Sequence, residues 1–75
     1  MRLRVFIRTL SGKSYETTGD QVARPGDGEN RQKVIRQLTE KLQAGHPVTF
    51  TDSDGECYII PPNAVEVVTV QEQKD

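Results

Sequence analysis

Arg2, Arg4, Phe6 and Arg8 alternate along the start of the chain. A guanidinium grips a phosphate or a carboxylate as a fork, and an aromatic ring set between such groups stacks on a base. Alternate residues of an extended strand share a face, so these four form one surface. On an open sheet, that layout suits single-stranded RNA. The glycine- and aromatic-rich strand motif of RNA-binding sheet modules is missing here, and Glu16 and Glu66 can neutralise the arginines from adjacent strands. The plainer reading is a solvated strand face whose arginines discourage pairing with strangers. Arg2, Arg4, Phe6 and Arg8 are therefore the candidate binding residues, for a protein partner or, as the alternative, for a nucleic acid.

Other groupings point to structure. Asp52-Ser53-Asp54-Gly55 opens like an EF-hand loop, but the twelfth residue counted from Asp52 is Asn63, beyond a diproline, and the flanks read as strands. The loop needs an acidic ligand there and helices on both sides, so a β-turn is the reading. Cys57 and His46 are the one thiol and the one imidazole. A nucleophile–base pair needs them within hydrogen-bond reach, and nothing local brings them together. Cys57, set in a strand, reads as a small buried apolar residue, and His46 as part of a helix stop. Arg24-Pro25-Gly26-Asp27-Gly28 precedes a helix but lacks the G-x-x-x-x-G-K-[ST] spacing of a phosphate loop. No catalytic, cofactor-binding or metal-binding residue is expected, and a thin domain leaves little room for a pocket of roughly several hundred cubic ångströms.

The elements that position these residues follow from periodicity. Leu3, Val5, Ile7 and Thr9 form the other face of a strand over residues 1–10. Gly12 marks a turn, and Ser14-Tyr15-Glu16-Thr17-Thr18 returns as a second strand. A two-residue loop at Ser11-Gly12 would set Tyr15 opposite Arg8 on the outer face, and a three-residue loop, Leu10-Ser11-Gly12, opposite Ile7 and inward; the second is favoured, since it suits a core short of aromatics. Residues 19–29, dense in glycine, read as an irregular loop. Val34, Ile35, Leu38 and Leu42 cluster on one arc of a helix. Asp27 or Asn30 can cap its start, Gly45 and Pro47 its end, and Arg36 and Glu40 are spaced for an i,i+4 ion pair. Strands at 48–51, 56–60 and 65–70 read as a meander, with a polar frayed tail at 71–75. The valine run of the last strand suggests burial on both sides, or on one side with a partner on the other.

The expected fold is a small α+β domain spanning residues 1–75, in β-β-α-β-β-β order. One amphipathic helix covers one face of a single-layer antiparallel sheet, and the other face is left free. In layout, residues 30–70 resemble short bacterial and phage proteins, with no motif that implies an activity. Ten basic and eleven acidic residues give a formal charge of −1, which excludes a globally basic nucleic-acid binder. The single cysteine excludes a disulfide-stapled scaffold. No apolar run approaches the ~18 residues of a membrane span, and no signal-peptide core follows Met1, so a cytoplasmic location without membrane contact is expected. With only 33% apolar residues in 75, the core is thin, and self-association is a natural supplement. The functional expectation is a small non-enzymatic protein-interaction module, with self-association among its options and no cofactor or small-molecule substrate.

Overall fold

The computed structural model describes residues 2–52 and 54–73. The order is β1 (Arg2–Thr9), β2 (Ser14–Thr18), α1 (Gly19–Val22), α2 (Arg31–Gln43), β3 (Val48–Thr51), β4 (Cys57–Ile60), a 3-10 turn (Pro62–Ala64) and β5 (Val65–Gln73). All strand pairs are antiparallel, and α2 is the one helix longer than a turn or so among the described residues. This is an α+β domain. Among the described residues, no helix is long and apolar enough to cross a membrane.

β1 pairs with β2 in the register that places Tyr15 opposite Ile7, inward as expected. The hairpin closes through bonds from Thr9 N to Lys13 O (2.9 Å) and from Gly12 N to Thr9 O (3.0 Å), with Gly12 at φ +88°. α2 begins where Asn30 Oδ1 accepts from Lys33 N at 3.0 Å. It ends where Gly45 N donates to Leu42 O (3.1 Å) and His46 N to Lys41 O (2.9 Å), the doubled closure that a glycine in the left-handed region permits. His46 is thus part of the helix stop. Arg36 and Glu40 form no ion pair within 4 Å among the described residues.

The strands divide into two sheets, β2-β1-β5 and β3-β4. The meander expected in the last third does not form, because β5 leaves β4 and pairs with β1 instead. Pro61 and Pro62 have no N–H to continue a ladder. The 3-10 turn redirects the chain, and Leu10 N then donates to Ala64 O at 2.9 Å beside the start of the β1–β5 ladder. Arg8 faces Val67 and Thr9 faces Val65, so Glu66 is the extra residue of a bulge. The ladder continues to Gln73 opposite Arg2, so 71–73 are strand rather than frayed tail; 74–75 lie outside the described residues.

Residues 19–29 are not wholly irregular either. Gly19–Val22 form one helical turn, with Val22 in the core. A Cβ on Gly19 would stand 2.0 Å from Gly28 O, and one on Gly28 would stand 2.0 Å from Asp20 Oδ1, so the loop closes onto α1 backbone to backbone.

The core joins Leu3, Val5 and Ile7 of β1 to Val22, Val34 and Leu38 of the helices and to Val48, Phe50 and Ile60 of the second hairpin. Tyr15, Phe50 and Tyr58 dock that hairpin against β2. Phe50 and Tyr58 stack at 5.2 Å, and Tyr15 meets them at 6.4 and 5.4 Å. The inner face of the β2-β1-β5 sheet is therefore covered by two helices and a hairpin over β1 and β2 and only partly over β5, and its outer face is left open.

Candidate protein-docking edge

The outer face carries the four residues singled out in the sequence. Phe6, half-buried, lies between Glu16 of β2 and Thr69 of β5. The Arg4 guanidinium donates to Glu16 Oε2 and to Gln73 Oε1. Arg8 donates to Glu66 Oε1 from Nη2 at 2.6 Å and from Nε at 3.0 Å. Arg2 is exposed at the end of the strand, beside a cleft it shares with Asp20 and Glu29. The expected neutralisation by Glu16 and Glu66 is in place: the two central arginines have their forks occupied by neighbouring strands. Exposed pairs of this kind contribute about 0–1 kcal/mol each to stability, but they remove most of the face's positive field.

Cys57 is exposed rather than buried, because it sits opposite Thr51 on the outward row of a two-stranded hairpin, with Thr49 and Ile59 exposed beside it. His46 lines a different region, an open cleft of about 500 Å3 between α1, α2 and β3, together with Arg24, Glu40 and Lys41. Clefts of several hundred cubic ångströms therefore exist, contrary to expectation, since two sheets and a helix meet at angles that a single layer would not create. Among the described residues, no group of three or more His, Cys, Asp or Glu side chains is placed to hold a metal ion.

At the 52–56 turn, Asp52 Oδ1 accepts from the amides of Asp54 and Glu56, both at 2.9 Å, and Oδ2 accepts from the Tyr58 hydroxyl at 3.0 Å. Gly55 takes φ +81°; Ser53 lies outside the described residues. Chiefly through the bond from the Glu56 amide, the Asp52 carboxyl is held below its ordinary range. The Tyr58 phenol is raised, first by its bond to that carboxylate. The Asp52 carboxylate is thus used within the turn, which closes with Gly55 N donating to Asp52 O at 3.2 Å, as the β-turn reading expects.

The feature that sequence reasoning underrated is the margin of β5. β5 is nine residues long and pairs with β1 alone, so its far side is unpaired among the described residues. Beside it runs a groove of about 340 Å3, lined by Ile35, Leu38 and Leu42 of α2 and by Val68 and Val70 of β5, with Arg31 at its rim. Ile35 was expected in the core with Val34 and Leu38. It is 40% exposed, because α2 rotates Val34 and Leu38 inward and leaves the flank of the stripe over the sheet margin. Val67 is 42% exposed, and Val65, Val68 and Val70 are half-buried. The valine run is covered on one side only. The signal was present in the sequence, as a stripe one residue too wide and a strand richer in valine than one covered face requires.

Comparison with protein-family models, with curated proteins and with solved structures finds no match for the chain.

Proposed function

We propose that this protein is a non-enzymatic interaction module that binds an extended polypeptide segment along β5. The observation that supports the reading is the pairing of an open nine-residue strand margin with an apolar groove running beside it. An unpaired strand presents a row of backbone donors and acceptors. A segment added to it gains main-chain hydrogen bonds, and its alternate side chains enter the neighbouring groove. Ile35, Leu42, Val68 and Val70 supply apolar contact on the groove side, and Arg31 a charged rim.

Panning displayed random peptides against the full chain tests the reading. Enriched peptides should alternate apolar residues, slow amide exchange at 67–71, and bind with little dependence on salt. Enriched peptides that leave the β5 amides unprotected overturn it. So does tight binding of labelled single-stranded RNA that falls steeply with salt and is lost in the Arg4→Ala plus Arg8→Ala variant. That result would give the function to the Arg2, Arg4, Phe6 and Arg8 face instead.

A further inference from the structure

Building on the docking reading of β5, we propose that the segment it takes is β5 of a second copy of this chain, paired antiparallel about a two-fold axis at Thr69. A second copy offers its strand already extended, so docking avoids the ordering cost of a flexible peptide.

The sequence of β5 selects the register. Antiparallel neighbours share a face, so in a continuous sheet the inward residues Val68 and Val70 must meet inward residues. An axis at Val68 sets Val70 against the bulge residue Glu66, and an axis at Val70 sets Val68 against the Glu72 carboxylate. The axis at Thr69 places Val68 opposite the partner's Val70, Val70 opposite the partner's Val68, Val67 opposite the partner's Gln71, and threonine opposite threonine. No charge, proline or glycine interrupts 67–71.

Glu66 then lies level with the partner's Glu72, but not on the same side. Glu66 is held on the outer face by Arg8, whereas Glu72 continues the inward row as the cross-strand neighbour of buried Leu3. The bulge thus separates two carboxylates that a regular strand would oppose. The two α2 helices fall on the same side of the joined six-stranded sheet, and each apolar groove meets its copy across the axis. A patch that meets itself in this way is what a two-fold interface requires.

Analytical ultracentrifugation of the full chain should show a species of twice the 8.4 kDa chain mass. A residue on the axis faces its own copy, so Thr69→Lys and Thr69→Glu should each weaken association by about tenfold or more. An equimolar mixture of the two variants should regain it, because unlike charges then face each other. Circular dichroism confirms that each variant is folded; Ile35→Glu, on the exposed flank of α2, serves as a second disrupting variant if either is not. A wild-type chain that stays monomeric at the highest attainable concentration overturns the proposal. So does a dimer indifferent to these substitutions, or a mixture that fails to recover. A monomer whose 67–71 amides are still protected by panned peptides loses the self-pairing and keeps the docking edge. A chain that neither dimerises through 67–71 nor protects those amides with any peptide loses both.

Discussion

At one margin of the three-stranded sheet, β2 runs for five residues, carries Glu16 at its middle and turns directly into α1. At the other, β5 runs for nine residues and is uncharged from 67 to 71. The inward residues of the two margins differ as much as their lengths. Tyr15 on β2 is packed by Phe50 and Tyr58 of the second hairpin. Val68 and Val70 on β5 touch the core beside Ile7 and Val5 but are half-buried, and they line an open groove against the flank of α2. Short length, an edge charge and a covering element are the usual means of keeping a strand from pairing with strangers. β2 has all three, while over its uncharged stretch β5 has none, with its bulge at one end and Glu72 at the other. Side chains under β2 should therefore govern whether the monomer folds, and side chains beside β5 should govern what the folded monomer meets.

The largest effect should come from Phe50→Ala. Phe50 is buried and joins the hairpin to β2, and deleting such a ring costs about 3–5 kcal/mol. A domain of this length has a total stability on the order of 4–11 kcal/mol, so urea denaturation should show a large share of it lost. Ile35→Ala, beside β5, should cost under ~1 kcal/mol, since its side chain is already partly in water. An Ile35 variant that unfolds as readily as the Phe50 variant would erase the distinction between the margins.

Gly28→Ala should come next, at about 1–3 kcal/mol. A methyl there would overlap Asp20, including backbone atoms at 2.6 and 2.7 Å, so the loop has to lift from α1 and uncover the end of β2. Thermal denaturation measures the loss. Amide exchange should place it first in 19–29 and β2, with 67–71 unaffected. Acceleration at 67–71 instead would mean that the α1 loop supports both margins.

Much of this architecture is legible in the residues themselves, because local rules govern it. Alternation fixed the faces of β1, Gly12 and the inward demand for Tyr15 set the register of the first hairpin, and Asn30 and Gly45 bounded α2. The free outer face and its neutralising glutamates could likewise be read from the alternation of charges. What could not be read was decided at long range. Whether β5 pairs with β4 or with β1 is a choice between a tight turn and a distant strand, and Pro61-Pro62 signals only that the tight turn is barred. The helical turn in α1 was hidden because it is only four residues long and opens on Gly19, a residue that weakens helix propensity but allows the backbone of Gly28 to approach closely. The exposure of Cys57 follows from the second hairpin's being a separate sheet with a bare outer row. The valine run marked β5 as a strand with a face to spare, but not as an edge: edge and centre strands carry the same valines, and only the pairing order distinguishes them.

A smaller effect, of opposite sign, is expected from Thr17→Val. Thr17 is 7% exposed, opposite Val5 on the inward row, and its hydroxyl has no hydrogen-bond partner among the described residues. Replacing an unpaired buried hydroxyl with a methyl of similar shape removes a desolvation cost, so stability should rise by about 0.5–1 kcal/mol. Because the change lies on the shielded margin, the association constant measured by ultracentrifugation should not move. A shift in self-association with Thr17→Val would show that β2 also takes part in contacts between molecules.

The smallest effect is a response to pH confined to the second hairpin. Asp52 has its carboxyl lowered in the folded chain, mainly by the amide of Glu56. Its contribution is complete above the carboxyl value of the unfolded chain and is lost as pH falls through the lowered one. Tyr58 is shifted the other way, its phenol raised first by the hydrogen bond to Asp52. Its contribution is complete below the ordinary phenol value of about 10 and is lost as pH rises through the raised one. Between those limits the turn should be insensitive to pH. Both groups are half-buried rather than enclosed, so the change should appear as local loosening rather than unfolding. NMR across the two limits should show the 54–58 resonances moving at each end while those of 67–71 stay fixed. Asp52→Asn should abolish the acid response and weaken the alkaline one, since its amide oxygen still accepts from the backbone but carries no charge to oppose a phenolate. If 67–71 moved with the turn, the two margins would be coupled through the core, and the separation of folding from docking would fail.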